Sequence, residues 1–261
     1  MKWVGVLGIL FLFTAACDGE LEPTDDDDTG GVENDPGEMP DDPPDDPPDD
    51  VATIQVSGYV GEFVDGFPPF AGVEVSIVDR PDIAPVLTDA AGNYVFEAVP
   101  AGIEIIVYAD LDETKHPAAS RYLQLGDSDF IVAPLFLFDR AATPFLAGMA
   151  GVEYDETMGY LTGGVWRDTD EVLEGAVVTL SPASATVTYN GADGLPNPEL
   201  DGISPGGTFG FYNVPIGDYE FSASHASTSR CYSALADQPE TVRVRMFPGA
   251  ATFSMGFSCG D

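Results

Sequence analysis

Ala90-Ala-Gly-Asn-Tyr-Val-Phe-Glu-Ala-Val-Pro-Ala-Gly102 returns in outline as Pro205-Gly-Gly-Thr-Phe-Gly-Phe-Tyr-Asn-Val-Pro-Ile-Gly217. Each version has a glycine turn, an aromatic–x–aromatic alternation and a closing Val-Pro-x-Gly turn. Alternation with a period of two marks a strand with one buried face. Two upstream blocks recur in the same order. Val56-Ser-Gly-Tyr-Val60 parallels Leu161-Thr-Gly-Gly-Val165, and Phe70-Ala-Gly-Val-Glu-Val-Ser-Ile77 parallels Leu173-Glu-Gly-Ala-Val-Val-Thr-Leu180. Three blocks in one order indicate a duplicated β unit.

The rest of the chain fits around this duplication. In the first copy, Ala52–Val60, Gly72–Asp79, Ile103–Ala109, Arg121–Leu125 and Asp129–Phe138 read as strands, with Pro134 interrupting the last. The second copy is longer between strands, at Tyr189–Pro205. Thr241–Phe247 and Ala251–Phe257 read as a hairpin across Pro248-Gly249. Arg243 and Arg245 alternate with apolar residues and are expected to face solvent. Between the copies, Ala141–Ala150 is expected to form a short helix, with Thr143 as its cap and Pro144 opening it. Its small apolar face would join the two units.

These blocks resemble the carboxypeptidase regulatory-like domain of the prealbumin-like (transthyretin-like) group. The resemblance covers Gln55 to Ala109 and Leu161 to Ser224. It implies an all-β fold: two tandem prealbumin-like Greek-key β-sandwiches, residues 51–140 and 159–261, joined by a linker at 141–158. It also implies non-catalytic modules, since such domains accompany enzymes, receptors and surface proteins without acting themselves.

The N-terminus reads as an address. Lys2 precedes the apolar run Trp3–Phe13, which is short of the roughly 20 residues a membrane-spanning helix needs. A basic start, an apolar centre and small residues compose a secretory signal. Ala15-Ala16-Cys17 resembles the lipobox of a bacterial lipoprotein, with Thr14 standing where an aliphatic is usual. The resemblance implies a signal peptide over 1–16 and lipidation of Cys17, hence a protein held to a membrane outside the cytoplasm. The alternative is an ordinary signal cut after Ala16, leaving a thiol. With Cys17 lipidated, Cys231 and Cys259 remain. In an oxidising compartment they are expected to pair, the alternative being two buried thiols.

Residues 17–50 read as an acidic, disordered tether. Asp18–Asp50 carries 16 acidic side chains and neither Lys nor Arg. Self-repulsion and proline favour an extended spacer over a packed fold. The whole chain has 45 acidic and 9 basic residues, a formal net charge of -36. That field excludes nucleic acid as a partner. It leaves the membrane, through the lipid anchor, and a glycan or an envelope protein.

No motif for chemistry emerges. Neither His116 nor His225 is followed by an acidic residue at the spacing that a zinc-peptidase site requires. No phosphate-binding glycine loop precedes a helix. No cofactor, metal or catalytic activity is expected. The remaining candidates are the aromatic residues Phe67, Trp166 and Tyr189. If exposed, they would stack on sugars or anchor a protein; otherwise they pack beneath loops. The expected function is a membrane-anchored extracytoplasmic binding or scaffolding module, with the outer membrane or cell surface favoured. A carbohydrate-binding surface protein is the alternative, and an enzyme of unrecognised type stands behind both.

Overall fold

The computed structural model describes residues 52–63, 67–111, 117–131, 134–167, 171–233, 239–254 and 256–260. The signal, Cys17, the acidic tether and His116 lie outside the described residues. The first repeat forms β1 (Thr53–Glu62), β2 (Glu74–Ile77), β3 (Val86–Leu87), β4 (Asn93–Pro100), β5 (Glu104–Asp110), β6 (Ala119–Gln124), β7 (Phe130–Ile131) and β8 (Leu135–Leu137). A short helix follows, α1 (Ala142–Met149). The second repeat begins with β9 (Gly159–Arg167), β10 (Val177–Ser181), β11 (Val187–Asn190), β12 (Pro196–Asn197) and β13 (Thr208–Val214). It ends with β14 (Gly217–Ser224), β15 (Arg230–Ser233), β16 (Thr241–Met246), β17 (Ala251–Phe253) and β18 (Phe257–Gly260).

The duplication holds at the level of individual hydrogen bonds. β1 pairs antiparallel with β4 and parallel with β7 and β8; β9 pairs antiparallel with β13 and parallel with β17 and β18. In the facing layers, β2-β5-β6 matches β10-β14-β16. Val56 stands opposite Phe96, as Leu161 stands opposite Phe211, and a register shift follows each pair at the same place. Val60 donates to the carbonyl of Gly92 at 2.8 Å and Val165 to that of Gly207 at 3.2 Å. Gly92 and Gly207 both have positive φ, 80° and 71°. A side chain at Gly92 would place Cβ 2.6 Å from the Val60 carbonyl oxygen, so glycine is required there.

Each repeat buries its own core between two layers. Ile54, Val56 and Val60 meet Val75, Ile77, Val107 and Leu123 in the first; Leu161, Val165 and Phe209 meet Val178, Leu180, Phe221 and Val244 in the second. Each such side chain contributes about 1.5–3 kcal/mol when fully buried. Pro134 does interrupt its strand: β7 and β8 flank it as separate short pieces on β1.

Two local expectations fail. Thr143 does not cap α1; it lies inside the helix and is buried. The N-cap is Ala141, with no side-chain cap; Asp139 shapes the turn before it, its Oδ1 accepting from the Ala141 N–H at 2.8 Å and its carbonyl from the Ala142 N–H at 2.8 Å. The hairpin across Pro248-Gly249 does not form either. β16 pairs with β14, whereas β17 lies parallel to both β9 and β6. The turn directs the chain away from β16 and across to the first repeat.

That crossing joins the layers. Nine strands run continuously as β12-β11-β13-β9-β17-β6-β5-β2-β3, and β18, paired with β9, and β15, paired with β18, complete an 11-stranded sheet spanning both repeats. Contacts gather Ala52–Asp261 into one compact unit. The seam is small and dry: the Ala251 N–H donates to the Ala118 carbonyl at 2.9 Å, and Ala119 and Ser120 have no exposed surface. Aromatic rings extend it. Phe253 of β17 stacks on Phe138 at 5.5 Å, Phe138 meets Tyr160 edge-on at 6.0 Å, and Tyr160 stacks on Tyr212 at 4.8 Å. Tyr160, Tyr212 and Phe253 thereby belong to the core of the first repeat.

Candidate functional site

Two features stand out: the joint between the repeats, and the outer face of the sheet carrying Trp166. At the joint, a cleft lined by Asp79, Glu104, Tyr122, Asp218, Arg243 and Arg245 separates the facing layers. Arg245 links both walls, bonding Asp218 of β14 at 2.6 Å and Asp79 just beyond β2. Hydrogen bonding to Asp218, then to Asp79, holds the Arg245 guanidinium above its ordinary pKa. Arg243 reaches Glu104 at 3.3 Å. Arginines that the alternation assigns to solvent thus sit at the surface and pair across the gap.

The three candidate aromatics have different fates. Tyr189 is buried, with 2% of its surface accessible, and its Oη accepts from the Val178 N–H at 3.2 Å. Of the two alternatives open for it, Tyr189 takes the packed one and is a core residue. β11 carries it against β13, so the Tyr-Asn-Gly sequence ends a strand instead of topping an open turn. Phe67 is half-buried. Its ring lies 4.7 Å from Phe136 and 6.1 Å from Phe63, and its backbone has a φ of 43°. It closes an aromatic cluster whose outer member, Phe63, is 44% exposed.

Trp166 lies on the sheet itself. A Cβ at Gly164 would fall 2.5 Å from its Cη2, and one at Gly256 would fall 2.2 Å from its Cζ3. The six-membered ring therefore lies over Gly164 in β9 and Gly256 just before β18. Register sets its neighbours: Trp166 is opposite Ser258, and Ser258 is opposite Tyr232. All three are half-buried, whereas the alternate residues Val165, Phe257, Cys231 and Cys259 are buried beneath. Trp166, Ser258 and Tyr232 form a row across β9, β18 and β15. The Arg230 guanidinium lies 5.3 Å from the Tyr232 ring centre and pairs with Glu240 at 3.0 Å.

Directly behind this row, Cys231 and Cys259 are joined by a disulfide, their Cα atoms 4.0 Å apart. They are opposite each other in the β15–β18 ladder. The bond points to an oxidising, extracytoplasmic compartment and fixes the register of the row. Sequence reading singles out Cys231 but not Tyr232 beside it, because Arg-Cys-Tyr-Ser shows too little alternation to announce a strand. His225 takes part in no acid–base pair among the described residues. Its ring bonds the Glu174 carbonyl at 3.1 Å and Ser227, a local turn contact.

No protein-family model and no curated protein sequence matches the chain. Among solved structures it is similar to the Bacillus anthracis TIE protein, at 12% identity over 80% of this chain and 34% of that one, with a TM-score of 0.29. It is similar to the shaft pilin SpaA of Lactobacillus rhamnosus GG, at 12% identity over 80% and 98% of the two chains, with a TM-score of 0.24. For the minor pilin GBS52 of Streptococcus agalactiae the values are 12%, 80%, 96% and 0.27. Overlap this loose carries no argument about function.

Proposed function

We propose that this chain is a lipid-anchored extracytoplasmic protein whose folded part is a non-catalytic binding or scaffolding module built from two regulatory-like, prealbumin-type sandwiches. The observation that carries the reading is the shared strand. β17 sits between β9 of one repeat and β6 of the other, so the repeats share a sheet within one compact unit. A stiff body on an acidic spacer presents its surfaces at a distance from a membrane. The buried disulfide supports the compartment, and the repeated ladder supports the pairing of the modules. Among the described residues no helix is long and apolar enough to cross a membrane.

Metabolic labelling with a fatty-acid probe tests the anchor. Label should enter the wild-type protein and be absent from Cys17→Ser. Equal labelling of both, or labelling of neither, overturns it. Affinity capture of envelope components on the purified protein then separates a binding module from a mere spacer.

A further inference from the structure

We propose that the outer edge of β4, centred on Val95, receives an antiparallel strand from a basic partner protein. This deepens the binding-module reading, on which it rests, by naming a surface and a partner. The repeats differ in where one strand goes. β3 and β11 each follow the second strand of their repeat, yet they join opposite layers. β3 pairs with β2, Glu74 against Leu87 and Val75 against Val86. β11 pairs instead with β13, Val187 against Phe211, Thr188 against Gly210 and Tyr189 against Phe209. Phe209-Gly-Phe211 corresponds to Tyr94-Val-Phe96 of β4. The edge that β11 covers in the second repeat is therefore the end of the sheet in the first.

Backbone direction makes that edge receptive. In an antiparallel ladder, alternate residues turn their N–H and carbonyl toward the neighbouring strand. Val60 bonds Gly92, so Tyr94 and Phe96 face β1 while Asn93 and Val95 face outward. Asn93 bears this out: its N–H reaches Asp89 Oδ1 and its carbonyl accepts from the Asp89 N–H, each at 2.8 Å. Val95 has no such turn beside it. Among the described residues nothing bonds its N–H or carbonyl, and the residue is 37% exposed. Leu87 of β3, next to β4 across the turn at 88–92, is 66% exposed. An open backbone pair with apolar side chains around it is a template for strand addition.

Charge selects the occupant. Glu97 and Asp89 flank Val95, and among the described residues neither is paired with a cation. Glu97 accepts from the Gln55 amide at 2.9 Å, and Asp89 accepts from the backbone of Ala91 and Asn93. In the register that β11 uses, Thr188 would stand opposite Val95 and Thr186 opposite Glu97. A lysine or arginine at the Thr186 position completes a cross-strand ion pair. The chain's own acidic, proline-rich stretch before β1 is a poor fit, because proline lacks the N–H a ladder needs and its carboxylates meet like charge. A second copy brings those same carboxylates and the same net charge of -36.

The test uses the full chain and a fluorescein-labelled peptide of residues 185–191 carrying Thr186→Lys. The peptide should bind saturably in anisotropy titrations. Val95→Pro removes the outward N–H and spares the ladder to β1, since proline is tolerated on a sheet edge. It should weaken binding about tenfold or more. N-methylation of the peptide at Thr188, whose N–H would meet the Val95 carbonyl, should do the same to the wild-type protein, which decides the matter if Val95→Pro fails to fold. Glu97→Lys should reverse the preference toward a peptide carrying Thr186→Glu. The proposal is overturned if the lysine peptide does not bind, or if binding ignores both Val95→Pro and N-methylation. It is also overturned if sedimentation finds a dimer that Val95→Pro dissociates, which makes a second copy the occupant. Envelope capture separates this edge from the reading beneath it. Equal capture by wild type and Val95→Pro overturns the edge and leaves the binding module standing, whereas no capture by either removes both.

Discussion

Ser120 and Thr252, 132 residues apart, share a buried hydroxyl–hydroxyl hydrogen bond of 2.9 Å where β6 and β17 meet. Thr252 Oγ1 also donates to the Arg245 carbonyl at 3.2 Å. Burial makes the seam expensive to break. Replacing Ser120 with Val should cost about 1–3 kcal/mol, because Thr252 is left with a poorer set of partners in a dry site. Ala251→Pro should do more. It removes the N–H that bonds the Ala118 carbonyl, and calorimetry should then resolve two unfolding transitions in place of one.

The ion pairs across the cleft should matter far less. Arg245 has 32% of its side chain exposed and its partners Asp79 and Asp218 have 74% and 69%. Exposed pairs of this kind contribute about 0–1 kcal/mol and fade with salt. Arg245→Ala should therefore lower the urea midpoint slightly at low ionic strength and hardly at all in molar salt. A loss comparable to that of Ala251→Pro would show that charge, and not the shared strand, holds the repeats together.

Disulfide removal gives a third expectation. Cys231 and Cys259 are separated by 28 residues, for which the chain-entropy model gives about 3.5 kcal/mol. A double Cys→Ser variant should lose that much in denaturant melts without a reducing agent. Wild type should lose the same amount once reduced, and the variant should then be insensitive to reductant.

Two glycines separate backbone strain from collision. Gly72 and Gly92 have φ of 74° and 80°. A Cβ at Gly72 meets nothing within 4 Å, so Gly72→Ala should cost only the left-handed penalty, about 1–2 kcal/mol. Gly92→Ala adds collision with the Val60 carbonyl and should cost at least about twice as much. Paired melting curves of the two variants check the difference.

Asp89 supplies a pH signature. Hydrogen bonds from the backbone of Asn93 first, then Ala91, hold its carboxyl below the ordinary value of 3.8. The unfolded chain binds the proton more readily, so the stabilisation is present above 3.8 and is lost as pH falls through the folded value. Asp89→Asn should be less stable than wild type near neutrality, and the gap should close as the solution is acidified below that point. A gap independent of pH would refute a role for the charge.

The repeat was legible because its signals are local. Gly72 and Gly175, or Gly92 and Gly207, sit at fixed steps from alternating apolar residues, and turn chemistry needs no distant partner. The register of Val56 with Phe96 and of Leu161 with Phe211 follows from those steps. The seam was not legible. Ala251-Thr-Phe253 is too short and too plain to name its neighbours, and Pro248-Gly249 reads as a hairpin because local rules favour one. Tyr189 misleads for a related reason: an Asn-Gly after an aromatic announces a turn, while its burial depends on β11 finding β13. Tyr232 gains its place only through the ladder to β18, a relationship that no spacing within residues 230–233 reveals.

The position of β17 also bears on how the chain is made. The first repeat has all its own strands by Leu137, yet the edge of β6 stays bare until residues 251–253 arrive. A nascent or truncated chain would expose unpaired backbone beside Ala119 and Ser120, an invitation to edge-to-edge aggregation. Completion of the later repeat is therefore the event that shields the earlier one, and the yield of unaggregated protein should drop more sharply for chains cut just before Ala251 than their lost mass alone would suggest.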